Sequence, residues 1–186
     1  IDVGSVAPNT QLGIQADHGQ SMDANGTAEG NAGISGGGTD AYAYRSSGNK
    51  LNNAGSGGGV AYGDTYANGD VIGVIVDMDN GKIWWSKNGT IQAGGDPANG
   101  TGEAFNTLLT NTLYVTGNYY FPAIHLQHDG DTGTWHFNFG QGDPDGENNF
   151  ADSNGKGGFR FEPPSGFLTL CTKNMSDRDY APIGPN

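Results

Sequence analysis

The stretch Asp70–Gly89, DVIGVIVDMDNGKIWWSKNG, decides the class of fold. Asp70–Asp77 is a run of β-branched residues, apolar on both faces, which predicts a central, buried strand. Asp79-Asn80-Gly81 is a tight-turn signal, because Asn-Gly tolerates positive φ at both central positions of a hairpin turn. Lys82–Lys87 is the return strand, and Asn88-Gly89 closes it. Trp84 and Trp85 are neighbours on that strand, so they point to opposite sheet faces. Trp85 is expected in the core and Trp84 at a rim or interface.

Around this hairpin the pattern is strand and loop throughout. Gln11–Ala16 and Ala41–Arg45 predict short strands, the second with Tyr42 and Tyr44 on one face. Tyr119–Gln127 and Thr132–Phe139 predict two more, joined through His128–Asp131, with Pro122 tolerable at a bulge or edge. Trp135, Phe137 and Phe139 alternate onto one face. Phe105–Leu109 suits a short helical turn and Phe167–Cys171 a last strand. Residues 17–40, 50–59, 92–112 and 140–158 are polar loops, and residues 1–61 show almost no core pattern.

Composition agrees. The chain has 34 Gly among 186 residues, about 18% against a usual ~7%, with no Gly-X-Y period that would mark collagen. Interior Gly disfavours helix, while 34% hydrophobic residues exclude disorder throughout. The fold class is therefore all-β. The net charge of −12 argues against nucleic acid and anionic membranes as partners. No apolar run approaches the ~18–20 residues that span a bilayer. The single cysteine, Cys171, excludes an internal disulfide and reads as a small strand filler.

Ordered pieces of the sequence resemble the SPRY domain. They are Tyr62–Tyr66 followed by Gly69–Gly73, the Val76–Gly89 hairpin, Tyr120–Ala123, Phe137–Gly140 and Phe161–Phe167. The resemblance covers roughly residues 62–174. It implies a bent antiparallel β-sandwich, concanavalin-like in plan, that works as a binding module and not as an enzyme. The family's "G-K-x-Y-x-E-V" stretch is absent and Ile1-Asp2-Val3 fits its last residues. The expectation is a C-terminal part of such a domain, with residues 1–61 a loop-rich portion, 62–174 the core and 175–186 a linker. A protein partner or upstream polypeptide would complete the sandwich. The Asn/Gly-rich motifs resemble SPRY-like modules of large phage and viral structural proteins, which implies an extracellular or virion setting and a fibre or decoration role.

Candidate sites follow from residue type. Tyr42, Tyr44, Tyr62, Tyr66 and Trp84 are candidates for an exposed aromatic patch that binds protein or glycan. Asp143, Asp145 and Asp152 lie in or beside one flexible loop with oxygen ligands suited to calcium; Asp17, Asp23 and Asn25 form a looser set. No other cofactor is expected. His125 and His136 would face each other across a hairpin, beside His128. Glu29, Glu103, Glu147 and Glu162 make no paired-carboxylate motif, so no glycosidase site is expected. The leading reading is contact with protein partners. A calcium-assisted lectin and a self-assembling structural subunit are the alternatives.

Overall fold

The computed structural model describes residues 1–5, 10–16, 41–52, 59–110, 119–126, 132–142 and 149–175. The chain divides into two compact units, Ile1–His136 and Phe137–Asn186. All the strands among the described residues belong to the first: β1 (Asp2–Ser5), β2 (Gln11–Ala16), β3 (Ala41–Arg45), β4 (Asn49–Asn52), β5 (Val60–Ala61), β6 (Ile72–Asp77), β7 (Lys82–Lys87), β8 (Thr90–Ile91), β9 (Tyr120–His125) and β10 (Thr134–His136). Among the described residues the only helical elements are short 3₁₀ turns, and no helix is long and apolar enough to cross a membrane.

One layer is the antiparallel sheet β5-β4-β3-β2-β9. The other is built from β10-β1 and β6-β7-β8, which β1 joins. Ile1 and Ile72 each donate to the other's carbonyl at 2.8 Å, Val3 N–H donates to Asp70 O at 2.9 Å, and Gly69 N–H donates to Val3 O at 2.7 Å. Gly69 and Asp70 thus oppose the single residue Val3, a β-bulge whose first position needs positive φ; Gly69 supplies it at +86°. This is the physical reason for the Gly-Asp entry to β6, in which Ile72 and Ile75 are buried and the other four residues are only partly so, where a strand buried on both faces was expected.

Side-chain alternation then sets the core. Leu12, Ile14, Tyr42 and Tyr44 from the first layer meet Val3, Ile72, Ile83 and Trp85 from the second, with Tyr66, Ala104 and Leu108 from the connections. All are buried. Four of the eleven therefore come from β2 and β3, within the stretch that the sequence reads as nearly coreless. That expectation is corrected. The core there is carried by a few alternating residues between small ones, and Ala41 and Ala43, with the partly buried Ala123 against them, form a second, smaller cluster on the opposite face of the same sheet.

The β6–β7 hairpin forms, in register from Ile72↔Lys87 to Asp77↔Lys82, but its turn spans the four residues 78–81, where Gly81 (φ +67°) and not Asn80 takes positive φ. The expected pairing of Tyr119–Gln127 with Thr132–Phe139 does not form. β9 pairs with β2 and β10 with β1, so they lie in opposite layers. Pro122 does sit on β9, at the sheet edge.

The second unit contains no strand among its described residues. Phe167–Cys171, expected as the last strand, is in no sheet. Phe139, whose alternation with Trp135 and Phe137 suggests a shared apolar face, is 38% exposed.

Candidate functional site

The edges of the two layers, β5 in one and β8 in the other, flank a groove. It is an open cavity of about 500 Å³ lined by segments 61–64 and 90–93. Gln92, Asp64 and Gly63 stand in its wall, braced from behind by Tyr44. Gln92 is 4% exposed and belongs to the 3₁₀ turn Gln92–Gly94 that follows β8. Its Oε1 accepts Asp64 N–H at 2.7 Å and the Tyr44 hydroxyl at 3.3 Å, and its Nε2 donates to Thr90 O at 2.9 Å. The Tyr44 hydroxyl also donates to Asp64 O. Both backbone groups of Asp64 are therefore pinned. Gly63 fits because it has no side chain: a Cβ there would lie 2.5 Å from Gln92 Oε1. At the rim, Ala93 holds a left-handed backbone (φ 55°, ψ 20°), a conformation that costs roughly 1–2 kcal/mol for a residue with a Cβ.

Behind the wall stands a tyrosine cluster. Tyr44 packs against Tyr62, Tyr66 and Trp85 with ring centroids 5.6, 5.4 and 6.1 Å apart. Tyr66 Oη donates to Thr10 O at 2.8 Å, with Tyr44 O at 3.1 Å. Tyr62 Oη accepts Trp85 N–H at 3.3 Å. Burial drives the phenol pKa values of Tyr44 and Tyr66 well above the ordinary tyrosine value, and nearby Asp64 adds to the rise at Tyr44. Burial also raises Tyr62, against a partial offset from the Trp85 N–H bond. These are structural phenols that stay neutral, not acids or bases.

The expected exposed aromatic patch is therefore corrected. Tyr42, Tyr44, Tyr66 and Trp84 are 3%, 0%, 3% and 0% exposed. Tyr42 reaches Thr107 Oγ1 at 3.0 Å. Trp84 faces away from the main core, yet it is not at a rim: the 92–104 loop covers it, with Trp84 Nε1–H donating to Thr101 O at 2.9 Å. Among the five aromatic candidates only Tyr62 lines the groove.

The charges of the first unit are arranged unevenly. Residues 1–136 carry thirteen Asp and Glu against four Lys and Arg. The four cations are each buried or held within the unit, and Lys82 and Lys87 also face Glu103 at 3.9 Å and Asp70 at 3.3 Å. Lys50 Nζ donates to Ala104 O at 2.7 Å and lies 5.0 Å from the Phe105 ring centroid. Lys82 donates to Gly100 O at 2.6 Å and Lys87 to Thr65 O at 2.7 Å. Arg45 is 6% exposed.

In the second unit, Asp152 is a buried carboxylate with four N–H donors. Oδ1 accepts Asn154 N at 2.9 Å and Lys156 N at 2.8 Å; Oδ2 accepts Thr169 N at 2.8 Å and Asn174 Nδ2 at 2.6 Å. Burial alone would raise its pKa, but these donors outweigh it and hold it down to about 2. The carboxylate thus knots three loop segments together. Asp143 and Asp145, the other two calcium candidates, lie outside the described residues, as do Asp17, Asp23, Asn25, His18, His128, Glu29 and Glu147. His125 and His136 stand on opposite layers and do not form the expected pair. Among the described residues no three His, Cys, Asp or Glu side chains converge as metal ligands would.

Gln92, Asp64 and Ala93 were not singled out by sequence. Tyr62-Gly63-Asp64 was visible only as a fold motif. Gln92 carried no local signal, because its partners lie 28 and 48 residues away.

No curated protein sequence matches the chain. The family of the SPRY domain matches it over residues 3–142. The match begins near the first strand, so the similarity is not confined to the later part that the quoted motifs cover.

Proposed function

This chain belongs to the SPRY domain family, and from that premise we propose that it is a non-catalytic module that grips a protein partner in the groove between the β5 and β8 edges. Domains of this family are generally protein-interaction modules. The observation that carries the choice of surface is the pinned wall. Gln92, Tyr44 and Asp64 fix both sides of the groove before any partner arrives, which removes ordering cost from binding. The Gly- and Asn-rich form of the motifs supports placing the module in a larger extracellular or virion structural protein.

The test is selection from a displayed peptide library against the immobilised full chain. Selected peptides should lose binding to Thr90→Arg or Ala61→Arg, two exposed positions whose new side chains fill the groove. Equal binding to these variants would overturn the assignment of the surface.

A further inference from the structure

The 61–64 wall takes its position from outside the groove, an inference that rests on the groove being the binding surface. The chain leaves the sheet after β5 ends at Ala61, and two of the next amides are held by the turn between β3 and β4. Gly48 O accepts both Tyr62 N–H at 3.1 Å and Gly63 N–H at 2.9 Å, and Ser46 O accepts Tyr66 N–H at 3.0 Å. The turn is itself fixed. Gly48 N–H donates to Arg45 O and Ser46 N–H to Thr10 O, each at 2.9 Å, and Thr10 is buried. Lys50, on the strand that leaves the turn, sets its ammonium 5.6 Å from the centre of the Tyr62 ring. Gly48 does not line the groove, yet it abuts the wall. Its φ is +89°, and a Cβ there would lie 2.5 Å from Gly63 O and 3.4 Å from the Asp64 carbonyl carbon. Glycine is thus required at 48 for two separable reasons. The left-handed backbone is a local cost, whereas a Cβ would push on the wall.

We propose that Gly48 is a positioning residue for the groove. It acts through Tyr62, Gly63 and Asp64, and a side chain at 48 displaces that wall and weakens a bound partner without touching it.

The experiment compares Gly48→Ala with Gly69→Ala. Both place a Cβ on a left-handed backbone, at φ +89° and +86°, but nothing lies within 4 Å of a Cβ at 69. The probe is a peptide selected from the displayed library against the parent chain, with tryptophan fluorescence confirming that each variant is folded. Gly48→Ala should weaken the peptide about tenfold, because the wall is no longer preformed. Gly69→Ala should bind within about twofold of the parent. Gly48→Asn, a residue type that tolerates positive φ, keeps the Cβ and should show the same loss as Gly48→Ala. Without peptide, the amide shift of Asp64, which reports its bond to Gln92, should move in both Gly48 variants and not in Gly69→Ala. Parent-like affinity in Gly48→Ala, an equal loss in Gly69→Ala, or recovery in Gly48→Asn would each overturn the proposal. If the selected peptides are indifferent to Thr90→Arg, the groove reading falls by itself, and an unmoved Asp64 amide would still overturn the positioning role. Should neither Gly48 variant fold, the parent decides: slow exchange of the Tyr62, Gly63 and Tyr66 amides supports the role, and exchange as fast as in exposed loops overturns it.

Discussion

Replacing Gln92 with alanine tests the wall on which the binding account depends. The substitution removes three hydrogen bonds at a site 4% exposed. They are not equal. Thr90 is exposed, so its carbonyl regains water and that loss is small. The Tyr44 hydroxyl keeps its bond to Asp64 O. Asp64 N–H loses its acceptor behind the wall, and an unsatisfied donor costs about 1–3 kcal/mol. With the lost packing, Gln92→Ala should destabilise the first unit by about 2–3 kcal/mol. For a chain of this size that lowers Tm by roughly 4–12 °C. The readout is clean, because Trp84, Trp85 and Trp135 all lie in the first unit, so tryptophan fluorescence follows its urea unfolding. Amide exchange at Asp64 should accelerate in parallel. A variant within about 0.5 kcal/mol of the parent, with the Asp64 amide still protected, would refute the reasoning.

Further outcomes follow from other parts of the structure. Gly69→Ala forces a Cβ into φ +86° and should cost about 1–2 kcal/mol in urea unfolding; no loss would deny the bulge its role. In alkaline titration the phenolate absorbance of Tyr44, Tyr62 and Tyr66 should appear only with unfolding. Their folded pKa values are raised, so their contribution is complete below pH ~10 and is lost as pH climbs above it. Normal titration of all eight tyrosines would contradict the buried cluster. Asp152 behaves oppositely. Its depressed value means its contribution is complete above pH ~3.9 and is lost as pH falls through about 2. Amide exchange at Asn154, Lys156 and Thr169 should quicken over that range, and Asp152→Asn should remove the pH dependence.

The sequence made local elements readable wherever their causes were local. The β6–β7 hairpin carries its own register across the 78–81 turn, and the positive φ at both positions that Asn-Gly tolerates is found at Asn88-Gly89, between β7 and β8. Tyr42 and Tyr44 alternate as a strand face must, and both reach the core. What escaped was pairing at a distance. β9 and β10 are consecutive and look like a hairpin, yet each finds an earlier strand in a different layer. Trp84 looked like a surface residue because nothing in KIWWSK announces that the 92–104 loop folds back over it. Phe167–Cys171 has strand-like alternation, but Thr169 N–H is taken by the Asp152 carboxylate and not by a neighbouring strand. The candidate site was the least legible part. An aromatic patch is easy to imagine from five tyrosine and tryptophan positions, whereas the groove depends on Gln92, a residue with no periodic or motif signal.

If the two sheet edges form the surface at which this module holds its partner, a bound partner must cover them. Hydrogen–deuterium exchange on the full chain, alone and saturated with a library-selected peptide, tests it most directly. Slowed exchange is expected at 61–64 and 90–93, with the hairpin tip at 78–81 unchanged. Protection confined to other segments, with 61–64 and 90–93 exchanging as in the free chain, would contradict it.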